Sequence, residues 1–219
     1  VKPSNFLFAR RQGERPAAAL LVDFGLAQFE SSQLAAGLEA CNIKQLPSRK
    51  LECIARLRKT LSIKPPGYLT NDPRAQMRAM RAGTRGFRAP EVLFKSSFQS
   101  CSIDVWSAGV ILLTLLTRRY PFFQSNDDLD AIVEIAAIYG SAELETAAKA
   151  YHRAWKSNIG SIPSEHLTFK RLVRRLSPNT YASLPDGVFD LLDSLLRLVV
   201  TDRISAQDAL EHPFIISSS

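Results

Sequence analysis

Ser102-Ile103-Asp104-Val105-Trp106-Ser107-Ala108-Gly109-Val110-Ile111-Leu112-Leu113-Thr114-Leu115-Leu116 reads as a helix with almost no polar face. Ser102 can cap it, and Asp104 falls in the first turn, where a carboxylate suits the positive end of the helix dipole. A helix that is apolar nearly all round is a buried one. The stretch therefore predicts the central helix of a mainly α body. Its longest apolar run, Val110 to Leu116 with Thr114 inside it, is far too short to span a membrane.

Further helices are expected on both sides of a core built on this one. Leu129–Tyr139 and Ala142–Trp155 form a pair, with Ser141 as the cap of the second. Val188–Val200 carries an apolar stripe at 188, 191, 192, 195, 196 and 199. Ser205-Ala206-Gln207-Asp208 is a capping box opening the last helix, which stops before Pro213. Segment 157–185 is polar with scattered prolines and reads as loop-rich. Toward the beginning, Phe6-Leu7-Phe8 and Ala18 to Val22 read as two strands, joined through the polar loop Arg10 to Pro16. Segment 29–82 is long, irregular and basic. Leu51, Ile54, Leu57 and Leu61 there mark one face of a basic amphipathic helix that Pro65-Pro66-Gly67 breaks. Its charge reads first as a solvated face and second as a nuclear import signal.

The chain has 219 residues, 46% of them hydrophobic, which is enough to bury a sizeable core. Its net charge of +7 fits either general solubility or attraction to an acidic partner. Cys41, Cys53 and Cys101 make no CxxC pair, which argues against a disulfide framework or a zinc cluster. No signal peptide and no Asn-x-Ser/Thr sequon is present. The first residue is not Met, so the expectation is an internal piece of a longer chain.

Asn5 and Asp23 flank the two expected strands on the outside, so a hairpin would bring them to the same end. Two oxygen ligands held this way can share one hard cation such as Mg2+. Alone, the pair reads first as an Asn and an Asp in ordinary turns. The order of the surrounding motifs gives it weight. Val1-Lys2-Pro3-Ser4-Asn5 is followed by Asp23-Phe24-Gly25, then Ala89-Pro90-Glu91, then Asp104-Val105-Trp106-Ser107-Ala108-Gly109, then Arg203. In this order the chain resembles the C-terminal lobe of eukaryotic protein kinases over essentially its whole length.

The resemblance implies a mainly α lobe with a short β-hairpin at the catalytic cleft, the N-terminal lobe being absent from these residues. It implies phosphoryl transfer from ATP with Mg2+, chemistry that needs positioning and charge neutralisation more than covalent help. Asp23 matches a magnesium-holding aspartate and Asn5 the asparagine for a second magnesium. Lys2 matches the lysine that contacts the γ-phosphate and implies serine/threonine substrates. Thr84 matches a threonine that hydrogen-bonds the base and Lys2. Glu91 is expected to pair with Arg203, and Asp104 to anchor the backbone of the catalytic loop. The catalytic aspartate would precede Val1, so the 219 residues alone are expected to be inactive and to expose apolar surface.

Val1 to Leu7 joined to Leu21 to Gln28, Arg81 to Leu93, Ile103 to Phe123, Ser125 to Leu129 and the tail from Leu191 to Phe214 look most like the cell division cycle 7-related kinases, the catalytic half of DDK. This family implies that 29–82 is an insert in the activation segment. It implies serines or threonines beside acidic or phosphorylated residues as substrates, as in the tails of the MCM replicative helicase. It also implies a DDK-type regulatory subunit, a nuclear role in starting DNA replication, no membrane and no direct nucleic-acid contact. Arg81, Arg85 and Arg88 are the candidates for binding the acidic neighbour, since guanidinium forks suit carboxylate and phosphate. The alternative is that Arg88 pairs internally and Arg81 is solvated. Arg85 stands where the family usually has proline, the insert lacks clustered cysteines, and the segment before the Val188–Val200 helix is short. Two other readings are another acidophilic kinase and a truncated or pseudokinase binding module, the latter opposed by intact Lys2, Asn5 and Asp23.

Overall fold

A computed structural model describes residues 1–8, 19–24, 27, 84–96 and 99–217. In chain order these form β1 (Phe6–Phe8), β2 (Ala19–Leu21), α1 (Pro90–Leu93), α2 (Ser102–Thr117), α3 (Asp128–Ala150), α4 (Phe169–Leu176), α5 (Pro178–Tyr181), α6 (Gly187–Leu195), α7 (Ala206–Leu210) and α8 (Pro213–Ile216). The mainly α expectation holds for these residues. None of their helices is long and apolar enough to cross a membrane.

Helix α2 is the central helix the sequence predicts, and Trp106, Val110 and Leu113 on it are almost wholly enclosed. Its buried hydroxyls are satisfied within the helix: Thr114 Oγ1 donates to Val110 O at 2.8 Å and Thr117 Oγ1 to Leu113 O at 2.7 Å. Two details differ from the expectation. Cys101, not Ser102, occupies the cap position, and Ser100 Oγ accepts from the Ser102 amide at 3.3 Å. One side of the helix also reaches the surface, with Asp104, Ala108 and Leu115 exposed.

Helix α6 crosses α2 at Gly109. A Cβ placed there would lie 2.7 Å from Leu196 Cδ2 and 3.0 Å from Leu195 Cβ, and both leucines are buried. Glycine is therefore what lets the two segments approach. Gly109→Ala should destabilise the chain by about 1–3 kcal/mol through overpacking, even though alanine favours the helix by up to ~1 kcal/mol. Urea unfolding of the variant beside the parent checks this, and an unchanged or raised midpoint would refute the tight crossing.

The predicted break between two helices appears inside α3 as a kink at Gly140, whose φ of 78° lies in the left-handed region. Asp127 caps the first half, accepting from Leu129 N at 2.8 Å and Asp130 N at 2.9 Å. The second half is met by backbone: Ser141 N donates to Pro163 O at 2.8 Å. It ends at Ala150, short of Trp155, where His152 turns left-handed with φ 56°.

The segment read as loop-rich, 157–185, contains α4 and α5, and this corrects the expectation. Phe169, Leu172 and Val173 bury one face of α4, and Thr168 caps it by accepting from Arg171 N at 3.4 Å. Four cations among eight residues hid the apolar stripe. Helix α6 stops at Leu195 rather than Val200, and a single 3-10 turn, Val200–Asp202, follows. The Ser205 cap forms as predicted, accepting from Asp208 N at 3.0 Å, and α7 stops before Pro213, but it is not the last helix: α8 starts at Pro213, which suits the first position of a helix.

Strands β1 and β2 pair antiparallel with Phe6 opposite Leu21, Leu7 opposite Leu20 and Phe8 opposite Ala19. The expected hairpin loop, the 29–82 insert and its basic helix lie outside the described residues.

Candidate active site

Asn5 ends a single 3-10 turn, Pro3–Asn5, that leads into β1. Proline at the first position presets φ for that turn. The turn is closed reciprocally: Asn5 N donates to Lys2 O at 2.9 Å, and Lys2 N donates to Asn5 Oδ1 at 3.0 Å. Across the hairpin, Val22 N donates to Asn5 O at 2.8 Å. The side-chain amide of buried Asn5 then donates to Asp23 Oδ2 at 3.2 Å. The hairpin thus brings Asn5 and Asp23 together, as their flanking positions suggest.

Asp23 has φ 70°, uncommon for a residue with a side chain. Such backbone costs about 1–3 kcal/mol and clusters where geometry serves a function. The Asp23 carboxylate is exposed, and so are Leu7, Leu20, Leu21 and Phe24. A hard cation fits here. The amide oxygen of Asn5 keeps a second lone pair beside the one facing Lys2 N, and Asp23 adds a carboxyl oxygen open to solvent. Magnesium takes few protein oxygens and fills its shell with water and phosphate.

The Val1 nitrogen lies 3.0 Å from Asp104 Oδ1 in the first turn of α2. Asp104 is more than half exposed there. Thr84 is exposed and opens a turn in which its carbonyl accepts from Phe87 N at 3.1 Å. Among the described residues no hydrogen bond joins Thr84 to Lys2. Gly86 in that turn has φ 80°, and a Cβ there would meet Phe123 O at 2.8 Å.

The three candidate arginines part company. Arg81 lies outside the described residues. Arg85 is exposed and donates to Asn126 O. Arg88 is engaged by Asp128, Nη1 to Oδ1 at 2.6 Å, with side chains only 15% and 17% exposed. The internal pairing weighed for Arg88 is what the structure shows. Its physical basis is the place of Asp128 in the first turn of α3, where the helix dipole favours a carboxylate.

Glu91 and Arg203 form a two-pronged pair with both side chains fully buried, Nη1 to Oε1 at 2.7 Å and Nη2 to Oε2 at 2.9 Å. The other guanidinium donors reach Ser102 O at 2.8 Å and Arg197 O at 3.1 Å, and the Trp106 ring lies 5.3 Å away. Sequence reasoning missed Tyr151. Its hydroxyl donates to Leu198 O at 2.8 Å, accepts from Val200 N at 2.9 Å and lies 3.4 Å from Glu91 Oε2. Burial, with Glu91 adding to it, pushes the phenol far above its usual range, so it stays protonated and donating. A tyrosine sixty residues from Glu91 gives no local signal of this role.

The protein kinase domain family model matches residues 68–215. A probable cell division control protein 7 homolog 1 of Encephalitozoon cuniculi is 48% identical over 214 residues, 98% of this chain and 58% of that protein. The cell cycle protein kinase spo4 of Schizosaccharomyces pombe is 40% identical across 98% of this chain and 51% of its own length. The cell division cycle 7-related protein kinase of Homo sapiens is 31% identical across 92% of this chain and 47% of its own length. The chain thus spans about half the length of the curated relatives it matches.

Proposed function

Because the chain belongs to the protein kinase domain family, we propose that it is the C-terminal lobe of a serine/threonine kinase of the cell division cycle 7 type. The activity is transfer of the ATP γ-phosphate to serine or threonine beside acidic or phosphorylated residues. The observation that carries the reading is the Asn5–Asp23 contact at 3.2 Å across the hairpin, which joins the two expected metal ligands. Bound there, Mg2+ would neutralise charge on the ATP phosphates. Asn5 sets the backbone of Lys2 through its Oδ1, and so fixes the root of the side chain assigned to the γ-phosphate. Glu91 and Arg203 hold the end of the activation segment against the body. The likeness to cell division control protein 7 homologues supports a role in cell division; a nuclear place at the start of DNA replication, a DDK-type regulatory subunit and MCM-like acidic substrates are our extension of that reading from the family resemblance.

The test is phosphorylation of paired peptides by the full-length protein that contains this chain. A serine followed by Asp or Glu should be used at least ~10-fold better, in kcat/KM, than the same serine followed by Lys, a difference of ~1.4 kcal/mol. Equal use would end the acid-directed reading, and transfer to tyrosine instead would end the serine/threonine one.

A further inference from the structure

We propose that the solvent face of α4 is a docking surface for an acidic polypeptide segment, separate from the site that holds the phosphorylated residue. Helix α4 reads Phe169-Lys170-Arg171-Leu172-Val173-Arg174-Arg175-Leu176, with four cations and no acid. Phe169, Leu172 and Val173 fix it to the core, so its charges stand on a rigid support. Lys170 lies four residues from Arg174, and Arg171 four from Arg175, so like charges face each other along both rows.

Two of these cations are answered within the chain. Lys170 Nζ meets Asp186 at 2.7 Å, and the Arg174 guanidinium lies 5.9 Å from the centre of the Tyr181 ring. Arg171 and Arg175 are exposed, and neither side chain has an ionic or hydrogen-bond partner among the described residues. Their Cβ atoms, one turn apart, are separated by roughly 5–6 Å. Alternate side chains of an extended peptide are about 7 Å apart. Two carboxylates at positions i and i+2 can therefore meet both guanidinium groups, each in a forked pair.

The partner's chemistry follows from charge complementarity. The chain is cationic overall, at +7, and Arg88, one of the candidates for an acidic neighbour, is engaged with Asp128. The unanswered cations of α4 offer a second place for an acidic strand. A two-turn helix with four cations is too small a footprint for duplex nucleic acid as the preferred ligand. The choice of an acidic polypeptide rests on the acid-directed kinase reading, but the surface can be tested without catalysis.

The probe is a labelled peptide of alternating Asp and Glu that lacks Ser, Thr and Tyr, titrated against the chain by fluorescence anisotropy. Saturable binding is expected, and it should weaken several-fold between about 50 and 200 mM salt. Arg171→Glu with Arg175→Glu should weaken it at least ~10-fold. Circular dichroism and the Arg171→Gln/Arg175→Gln pair, with an intermediate loss, exclude a folding defect. Absent binding, binding indifferent to both variant pairs, or tighter binding of duplex DNA of equal charge would overturn the proposal. In the full-length kinase the reversal should raise KM for a substrate with a long acidic tail and leave a short acid-flanked peptide unaffected. Failure of both substrates in the parent enzyme, with the anisotropy result intact, would sink the kinase reading and leave the docking surface standing.

Discussion

Glu91→Gln should cost about 3–5 kcal/mol of folding stability, the loss typical of breaking one partner of a buried ion pair. Against a typical domain stability of about 5–15 kcal/mol, that is enough to leave much of the chain unfolded at moderate temperature. The reason is what stays behind. Arg203 cannot lose its proton, and its side chain has no exposure to water. With Glu91 neutral, the guanidinium keeps the carbonyls of Ser102 and Arg197 and the face of Trp106, none of which carries a full negative charge. A second variant separates the cost of an orphaned charge from the worth of the pair. Replacing both at once, Glu91→Leu with Arg203→Met, should be far milder than either single change, because buried pairs replaced by apolar groups are often neutral. Urea midpoints of the single and double variants decide the matter. A Glu91→Gln loss under about 1 kcal/mol would mean that water reaches the pair.

Asp23→Ala in the full-length kinase should lower kcat at least ~100-fold, since removing one charge-stabilising group from such a site costs on the order of 3 kcal/mol in the barrier. Folding should lose no more than about 1–3 kcal/mol, from the buried Asn5 amide that loses its acceptor, since Asp23 itself is exposed and its contact in the structure is that amide at 3.2 Å. The same experiment on Asn5 would be harder to interpret, because Asn5 is buried and also holds Lys2 N. Initial rates at saturating peptide, across a magnesium titration, measure the effect. Near-normal turnover of Asp23→Ala at any magnesium concentration would remove Asp23 from the metal site.

The features readable from sequence were those set by local pattern. The hairpin was legible from two short apolar runs around a polar loop, and its geometry alone brings Asn5 to Asp23. Helix α2 was legible from its lack of a polar face, and the break at Gly140 from Ser141 beside it, a residue suited to cap a second helix. Contacts between distant segments had no such signal. Glu91 and Arg203 are 112 residues apart, and only the family resemblance linked them. Tyr151 had no resemblance to point to it. Helix α4 was lost because lysine and arginine at every outward position dilute hydropathy over a short window. Arg88 was ambiguous, since an arginine suited to a substrate carboxylate is equally suited to Asp128.

Tyr151 has one further consequence. Its single hydroxyl spans the carbonyl of Leu198, the amide of Val200 and the carboxylate of Glu91, while Arg203 joins Glu91 to the first residue of α2. Segments from four distant parts of the chain therefore share one set of protons and charges in a dry interior. Helix α1 has only four residues and could not persist alone in water. Held this way, it opens only when the core around it opens too, so these four residues take on the cooperativity of the core rather than that of a loop.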